Sequence, residues 1–133
     1  MPTTQETLQI SGIVPIVTVD DLQKSVAFYE GLGFTVGERW EENGTLFGVM
    51  LSAGKSQVAL NQDDWKKGRD RKKGLGVRLF MSTTQNVYEV AARAQRAGIT
   101  LKSEPHDTEF NSRAFEVIDP SGFLLTISSE IVP

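Results

Sequence analysis

The chain carries few side chains that could perform catalysis or bind a metal. Among its 133 residues there is one histidine, His106, and no cysteine. This excludes disulfides, thiolate chemistry, cysteine-ligated metals and every mechanism that needs two histidines, such as the HExxH zinc site. His106 precedes Asp107, so the two could act as a general base and its orienting carboxylate. Their position after Pro105 favours the alternative, a solvated loop.

The charge of the chain is unevenly distributed. Its net charge is −3, but six of the eight residues in 66–73 are basic and one is acidic, a local charge of +5 that leaves −8 on the rest. An acidic chain is a poor general binder of nucleic acid. The basic run is therefore expected to be a solvated linker, because charge runs usually lie at the surface. The alternative is a basic interaction module that captures polyanions.

The apolar pattern predicts the same series of elements twice. Residues 13–19 are rich in β-branched types and predict a strand, and the next apolar residues fall on one helix face: Leu22, Val26, Tyr29 and Leu32. Strands are expected at 34–41, 45–53 and 56–62. A strand at 76–82, a helix from Val87 to Ala97 and strands near 99–103, 112–119 and 122–129 repeat the series at an offset of 65 residues.

The N-terminal residues resemble neither a signal peptide nor a membrane span. They lack a basic segment followed by an apolar one, and the longest apolar stretch of the chain, 13–17, is far too short to cross a bilayer. We therefore expect a soluble cytoplasmic protein with no membrane partner and no nucleic-acid partner.

Several short motifs, in this order, resemble the vicinal-oxygen-chelate superfamily of glyoxalase I, extradiol dioxygenases and bleomycin-resistance proteins. In the first half they are Val-Asp-Asp-Leu at 19–22, Ser-Val-Ala-Phe-Tyr at 25–29 and Leu-Gly-Phe at 32–34. In the second half they are Ala-Gly-Ile at 97–99, Arg-Ala-Phe at 113–115 and Asp-Pro-Ser-Gly-Phe at 119–123. The resemblance covers about 12–129.

The resemblance implies an α+β fold in which two βαβββ modules form a cupped eight-stranded mixed sheet with helices on the outer face. The chain would be a single domain, 1–133, with module 1 at about 12–62, a basic linker at 63–73 and module 2 at about 74–129. It also implies a homodimer with a small-molecule ligand in the cup. Whether the modules pair within one chain or between two chains stays open.

In the enzymes of that superfamily, four inward-facing side chains hold a divalent metal. The matching positions here are Val14, Asn61, Leu79 or Arg78, and Thr126, and none offers an imidazole or a carboxylate. The resemblance is therefore closest to the metal-free bleomycin-resistance branch, with no metal, no cofactor and no catalytic residue. The alternative is a metal-dependent lyase, isomerase or dioxygenase with atypical ligands such as Glu109, His106 or Asp63.

The predicted function is binding of a small molecule, such as an antibiotic, in the cup. Asn61 and Thr126 are related by the repeat offset and lie at the family's site positions. Arg78 alternates with Phe80 along one strand face, where it would anchor a carboxylate or phosphate if that face lines the cup and be structural if it does not. Trp40 is attributed to core or hairpin packing. The predicted ligand-binding residues are Asn61, Trp65, Arg78, Phe80, Arg113 and Thr126.

Overall fold

The protein is built from two copies of one βαβββ unit, as the repeat predicts. The computed structural model describes residues 7–131. The first module consists of β1 (Ile16–Val19), α1 (Leu22–Leu32), β2 (Thr35–Glu42), β3 (Thr45–Ala53) and β4 (Ser56–Gln62). The second consists of β5 (Arg78–Ser82), α2 (Val87–Arg96), β6 (Ser103–Asp107), β7 (Ser112–Ile118) and β8 (Leu124–Glu130). The α+β class and the modules are confirmed.

Each module forms its own four-stranded mixed sheet. The strand orders are β1-β4-β3-β2 and β5-β8-β7-β6, with parallel pairing of β1 to β4 and of β5 to β8. Within residues 7–131, β1 and β5 are each paired along one edge only. Neither of the two helices found in that range is long and apolar enough to cross a membrane.

The two modules share one hydrophobic core on the helix side of their sheets. Its fully buried members come from both halves, among them Val19, Tyr29, Leu60, Phe115 and Leu125. Helices α1 and α2 contact each other directly. At that contact a Cβ on Gly31 would lie 3.0 Å from Ala97 Cβ and 3.1 Å from Ile99 Cδ1, so glycine permits the close approach.

A buried tyrosine ties α1 to the β7–β8 turn. The Tyr29 hydroxyl donates to Asp119 Oδ2 over 2.8 Å, and Asp119 Oδ1 accepts the backbone N–H groups of Ser121 and Phe123 at 2.9 Å each. Ser121 Oγ in turn accepts the backbone N–H of Asp20 at 2.9 Å. Burial, and then the charge of Asp119, raise the pKa of Tyr29 far above its usual value. The Asp-Pro-Ser-Gly turn therefore joins the modules.

The expected position of β6 is wrong by about four residues. The strand was predicted near 99–103 and runs from Ser103 to Asp107, so His106 lies in a strand and not in a loop. Pro105 disfavoured this assignment, but a strand at the edge of a sheet tolerates proline. The pairing with β7 is also irregular between Ser103 and His106, which accommodates it.

The expectation of a uniformly solvated linker is wrong for its last basic residue. The Lys73 side chain is only 5% exposed, and its ammonium donates to Asp63 Oδ2 at 2.8 Å and to Asp20 Oδ1. Arg71 also donates to Asp63 Oδ2 at 2.9 Å, whereas Lys66 is largely exposed. Burial opposes the charge of Lys73, but the hydrogen bonds and charges of the two carboxylates outweigh it and raise its pKa. Part of the linker is thus fastened to the end of module 1.

Candidate ligand-binding faces

The alternation of side chains along the strands leaves one face of each sheet without a helix. In β7, Phe115 and Val117 are fully buried in the core, so Glu116 between them points to the opposite face. In β4, Val58 and Leu60 belong to the core and Asn61 points away from it. These two helix-free faces carry the polar and aromatic side chains that could contact a ligand.

On the first sheet, one row of side chains crosses all four strands. Trp40 pairs with Gly48, Gly48 with Asn61, and Asn61 with Thr18. We call this the tryptophan row. A Cβ on Gly48 would lie 2.9 Å from Trp40 Cε3 and 2.8 Å from Asn61 Oδ1, so the absence of a side chain there lets the indole and the amide converge. Trp40 and Asn61 are both half-buried.

The second sheet carries the equivalent row. Phe80 pairs with Thr126, Thr126 with Glu116, and Glu116 with Ser103; we call this the glutamate row. Glu116 Oε1 accepts from the Ser103 hydroxyl at 3.3 Å, and Oε2 accepts from the Thr126 hydroxyl at 3.5 Å. Phe80 is 62% exposed. The row therefore combines a carboxylate, two hydroxyls and an open aromatic ring.

Arg78 lies on the same face and reaches the glutamate row from the edge strand. It shares the face of Phe80, and its guanidinium Nη2 lies 3.7 Å from Glu116 Oε2. Because β8 separates β5 from β7, the Arg78 side chain extends across β8 to make this contact. The next residue in β5, Leu79, points the other way, against the core. Of the two residues that the sequence left open, Arg78 is the one on the helix-free face.

Four of the six predicted ligand-binding residues lie on these faces, divided between the two sheets. Asn61 is on the first sheet, and Arg78, Phe80 and Thr126 are on the second. Sequence reasoning missed Glu116 and assigned Trp40 to core or hairpin packing. The signal for Glu116 was available, since the only acid inside the strand 112–118 alternates with Phe115 and Val117.

Trp65 belongs to neither row. It lies in the linker with a positive φ of 64°, and its ring packs under the Arg69 and Lys73 cations at 4.7 and 4.8 Å from the ring centroid. Its backbone N–H donates to Asp63 Oδ1 at 2.9 Å. The hydrogen bond from Lys73, followed by that from Trp65, holds the pKa of Asp63 well below its usual range. Trp65 thus covers the linker ion pairs.

Arg113 lies on the helix side of the second sheet, at the start of β7. Its Nε donates to Asp107 Oδ1 at 2.6 Å, and its guanidinium lies 5.5 Å from the Tyr88 ring centroid. The hydrogen bond from Arg113 lowers the pKa of Asp107. A groove of about 730 Å³ opens beside Arg113 and reaches Phe80 and Phe110 at the end of the sheet. Arg113 is thus beside α2 on the helix side and not on the second helix-free face.

The side chains present do not fit a divalent metal. Thr18, not Val14, is the β1 residue in register with Asn61, and like Asn61 and Thr126 it offers only a neutral oxygen. His106 Nδ1 lies 2.7 Å from the carbonyl oxygen of Glu104. The Asp63 carboxylate forms ion pairs with Lys73 and Arg71. Across residues 7–131, no three histidine or carboxylate groups come together. Within that range, Glu109, His106 and Asp63 therefore do not form the ligand cluster that the enzyme alternative requires.

Comparison with known proteins agrees with this architecture. The sequence model of the Glyoxalase/Bleomycin resistance protein/Dioxygenase superfamily matches residues 9–127. The chain therefore belongs to this superfamily. A search of curated protein sequences found no significant match.

Solved structures with the same fold include TioX, an antibiotic binding protein and a lyase. TioX from Micromonospora sp. ML1 is 20% identical, with a TM-score of 0.73, over 90% of this chain and 98% of TioX. TnmS3, an antibiotic binding protein from Streptomyces sp. CB03234, is 23% identical, with a TM-score of 0.70, over 92% and 98%. Lactoylglutathione lyase from Agrobacterium tumefaciens is 17% identical, with a TM-score of 0.65, over 90% and 94%. At these identities the likeness shows the shared fold alone.

Proposed function

We propose that this protein binds a small aromatic molecule on the helix-free faces of its sheets, without a metal, a cofactor or a catalytic residue. The observation that carries the proposal is the pair of equivalent rows. Each places an aromatic ring, Trp40 or Phe80, beside hydrogen-bonding side chains on a face that no helix covers. Apolar walls with a few fixed polar groups are what small-molecule sites require.

We further propose that the site is completed by a second copy of the chain. The two faces belong to separate sheets, and β1 and β5 each keep an unpaired edge in the described part of the chain. Large apolar side chains are exposed on these strands, among them Ile16 at 65%. Pairing β1 of one protomer with β5 of its partner would cover both edges and bring a tryptophan row opposite a glutamate row.

The printed names of one relative and of the superfamily bear on the ligand class. TnmS3 is described as antibiotic-binding, and the family name includes bleomycin resistance. With no metal-ligating set among residues 7–131, we place this chain in the binding branch, with antibiotics or similar natural products as ligands, acting in the cytoplasm.

Tryptophan fluorescence provides a direct test, because the chain has two tryptophans in different environments. The Trp65→Phe variant leaves Trp40 on the tryptophan row as the only reporter, and Trp40→Phe is the matched control. Saturable quenching of Trp40 by bleomycin or by flat heteroaromatic compounds, with little response from Trp65, is expected. Absence of saturable binding across such a panel, checked by calorimetry, would contradict the proposed function.

Light scattering tests the composite site separately. We expect a mass of twice the 14.7 kDa chain, and Ile16→Glu should shift the population to monomer and abolish ligand binding at the same time. The matched control is Ile13→Glu, which removes an even more exposed apolar side chain that precedes β1. A monomer that binds ligand with full affinity would refute the two-chain site and leave the binding function intact.

A further inference from the structure

The Glu116 carboxylate is fixed in place on the second helix-free face. Its neighbours Phe115 and Val117 are completely buried, so the backbone cannot move the side chain away from the sheet. The side chain is 21% exposed, and both oxygens accept from hydroxyl donors, Ser103 and Thr126. Hydroxyls solvate a carboxylate but supply no positive charge. A counter-ion for Glu116 must therefore come from another group above the row.

Its counter-ion, Arg78, is held far less firmly. Arg78 begins the edge strand β5, its side chain is 57% exposed, and a single nitrogen approaches Glu116 at 3.7 Å. A one-point contact by an exposed guanidinium contributes little stabilisation, because solvent screens it and side-chain entropy opposes it. Arg78 can therefore leave Glu116 at low cost, whereas Glu116 cannot leave its position.

The path of Arg78 conflicts with a bound ligand. To reach Glu116 from β5 the side chain crosses β8, above the strand that carries Thr126. A flat ligand that packs on Phe80 and contacts Thr126 would occupy the same space. Displacing Arg78 and excluding water would leave the carboxylate buried without a cation, which is strongly unfavourable unless the ligand supplies one.

From this we infer that Glu116 selects aromatic ligands that carry a positive charge, with Arg78 as a counter-ion that the ligand displaces. The inference rests on the proposed binding function and specifies its ligand class. It assigns Arg78 the opposite role to an anchor for a carboxylate or phosphate. The net charge of −8 on the residues outside the basic linker also favours the approach of a cation over that of an anion.

Three probes with one ring system and different charges test the inference. At neutral pH 9-aminoacridine is a cation, acridine is neutral and acridine-9-carboxylate is an anion. Affinities are measured by calorimetry and by Trp40 quenching on the full chain and on three variants: Glu116→Gln, Arg78→Gln and Glu104→Gln. The last removes an exposed carboxylate from the neighbouring strand β6, so it changes net charge equally and serves as the control.

The expected order of affinity is cation, then neutral, then anion. Glu116→Gln should weaken 9-aminoacridine binding by about tenfold or more, the usual size of a charge-assisted contact, and should leave acridine binding equal or stronger, because no unpaired carboxylate remains under the neutral ring. Arg78→Gln should leave 9-aminoacridine binding equal or stronger, and Glu104→Gln should have little effect. Tightest binding of the anion, lost in Arg78→Gln, or equal affinity for all three probes, would overturn the inference alone. Failure of every probe to bind saturably would overturn the proposed function and the inference with it.

Discussion

Replacing Tyr29 by phenylalanine tests the contact that joins the two modules. Tyr29 is fully buried, and among residues 7–131 its hydroxyl is the only side-chain donor to Asp119, which is itself 3% exposed. Phenylalanine keeps the ring and its edge-to-face contacts with Phe28 and Phe34, at centroid distances of 5.5 and 5.4 Å. The substitution therefore removes one hydrogen bond and leaves Asp119 Oδ2 without that partner.

The expected cost follows from the geometry. A hydrogen bond to a charged, buried acceptor contributes about 2 kcal/mol, and the unpaired acceptor retains its desolvation penalty. An unfolding entropy of about 2.1 cal/mol/K per residue, over 133 residues, converts 1 kcal/mol to about 3.6 °C. Tyr29→Phe should therefore lower Tm by about 7 °C.

Thermal and denaturant unfolding at one fixed protein concentration measure this cost, since dimerisation would make Tm concentration-dependent. The matched control is Tyr88→Phe, which alters the other tyrosine, half-exposed and outside the core, and should change stability by no more than about 0.5 kcal/mol. A double-mutant cycle with Asp119→Ala should give a coupling energy of about 1–3 kcal/mol. If the two tyrosine variants are equally stable, the Tyr29–Asp119 contact does not join the modules.

The same residue predicts a dependence on alkaline pH. The folded state raises the pKa of Tyr29, mainly by burial, so the hydroxyl stays neutral in the folded chain where the unfolded chain ionises. Its stabilising contribution is complete below the unfolded pKa of about 10 and declines above it, at about 1.4 kcal/mol per pH unit. Tyr29→Phe should lack this slope, and unfolding at two alkaline pH values compares the variants. Equal slopes would show that Tyr29 does not titrate on unfolding.

Three further predictions concern the linker, the tryptophan row and the metal. Lys73→Met should lower Tm more than Lys72→Met, because the buried Lys73 ammonium pairs with both Asp63 and Asp20 whereas Lys72 is exposed; equal Tm values would support a solvated linker. Gly48→Ala should shift Trp40 fluorescence and weaken ligand binding, because its Cβ meets both Trp40 and Asn61 below 3.0 Å, whereas Gly37→Ala should not. Elemental analysis of untagged protein after reconstitution with nickel, zinc, manganese and iron should find no stoichiometric metal; a metal that survives dialysis would support the enzyme alternative.

Local sequence signals were sufficient for most of the fold. The boundaries of β3 and β4 agree with the expected 45–53 and 56–62, because the turn signals at Asn43-Gly44 and Gly54-Lys55 fix where the strands start and end. The second βαβββ module followed from the 65-residue offset. Strand β6 was misplaced because an edge strand with an irregular ladder has no clear alternation, and Pro105 suggested a break.

The candidate site was predicted less completely, for reasons of geometry. Asn61 and Thr126 could be found because the repeat relates them, and Arg78 because it alternates with Phe80. The position of Trp40 depends on an irregularity in the pairing of β2 with β3, and no period-2 pattern encodes it. The burial of Lys73 depends on Asp20, 53 residues away in sequence, which local composition cannot indicate.

The arrangement of the core separates the stability of the fold from the chemistry of the helix-free faces. Stability comes from the helix side, where Tyr29, Phe115 and Leu125 are fully buried and the β7–β8 turn fastens α1. The helix-free faces contribute little to that core. Substitutions at Asn61, Glu116 or Thr126 therefore change the chemistry of the site without emptying the interior. In this chain those positions hold an amide, a single carboxylate and a hydroxyl, a set suited to hydrogen bonding and charge selection and not to chelation.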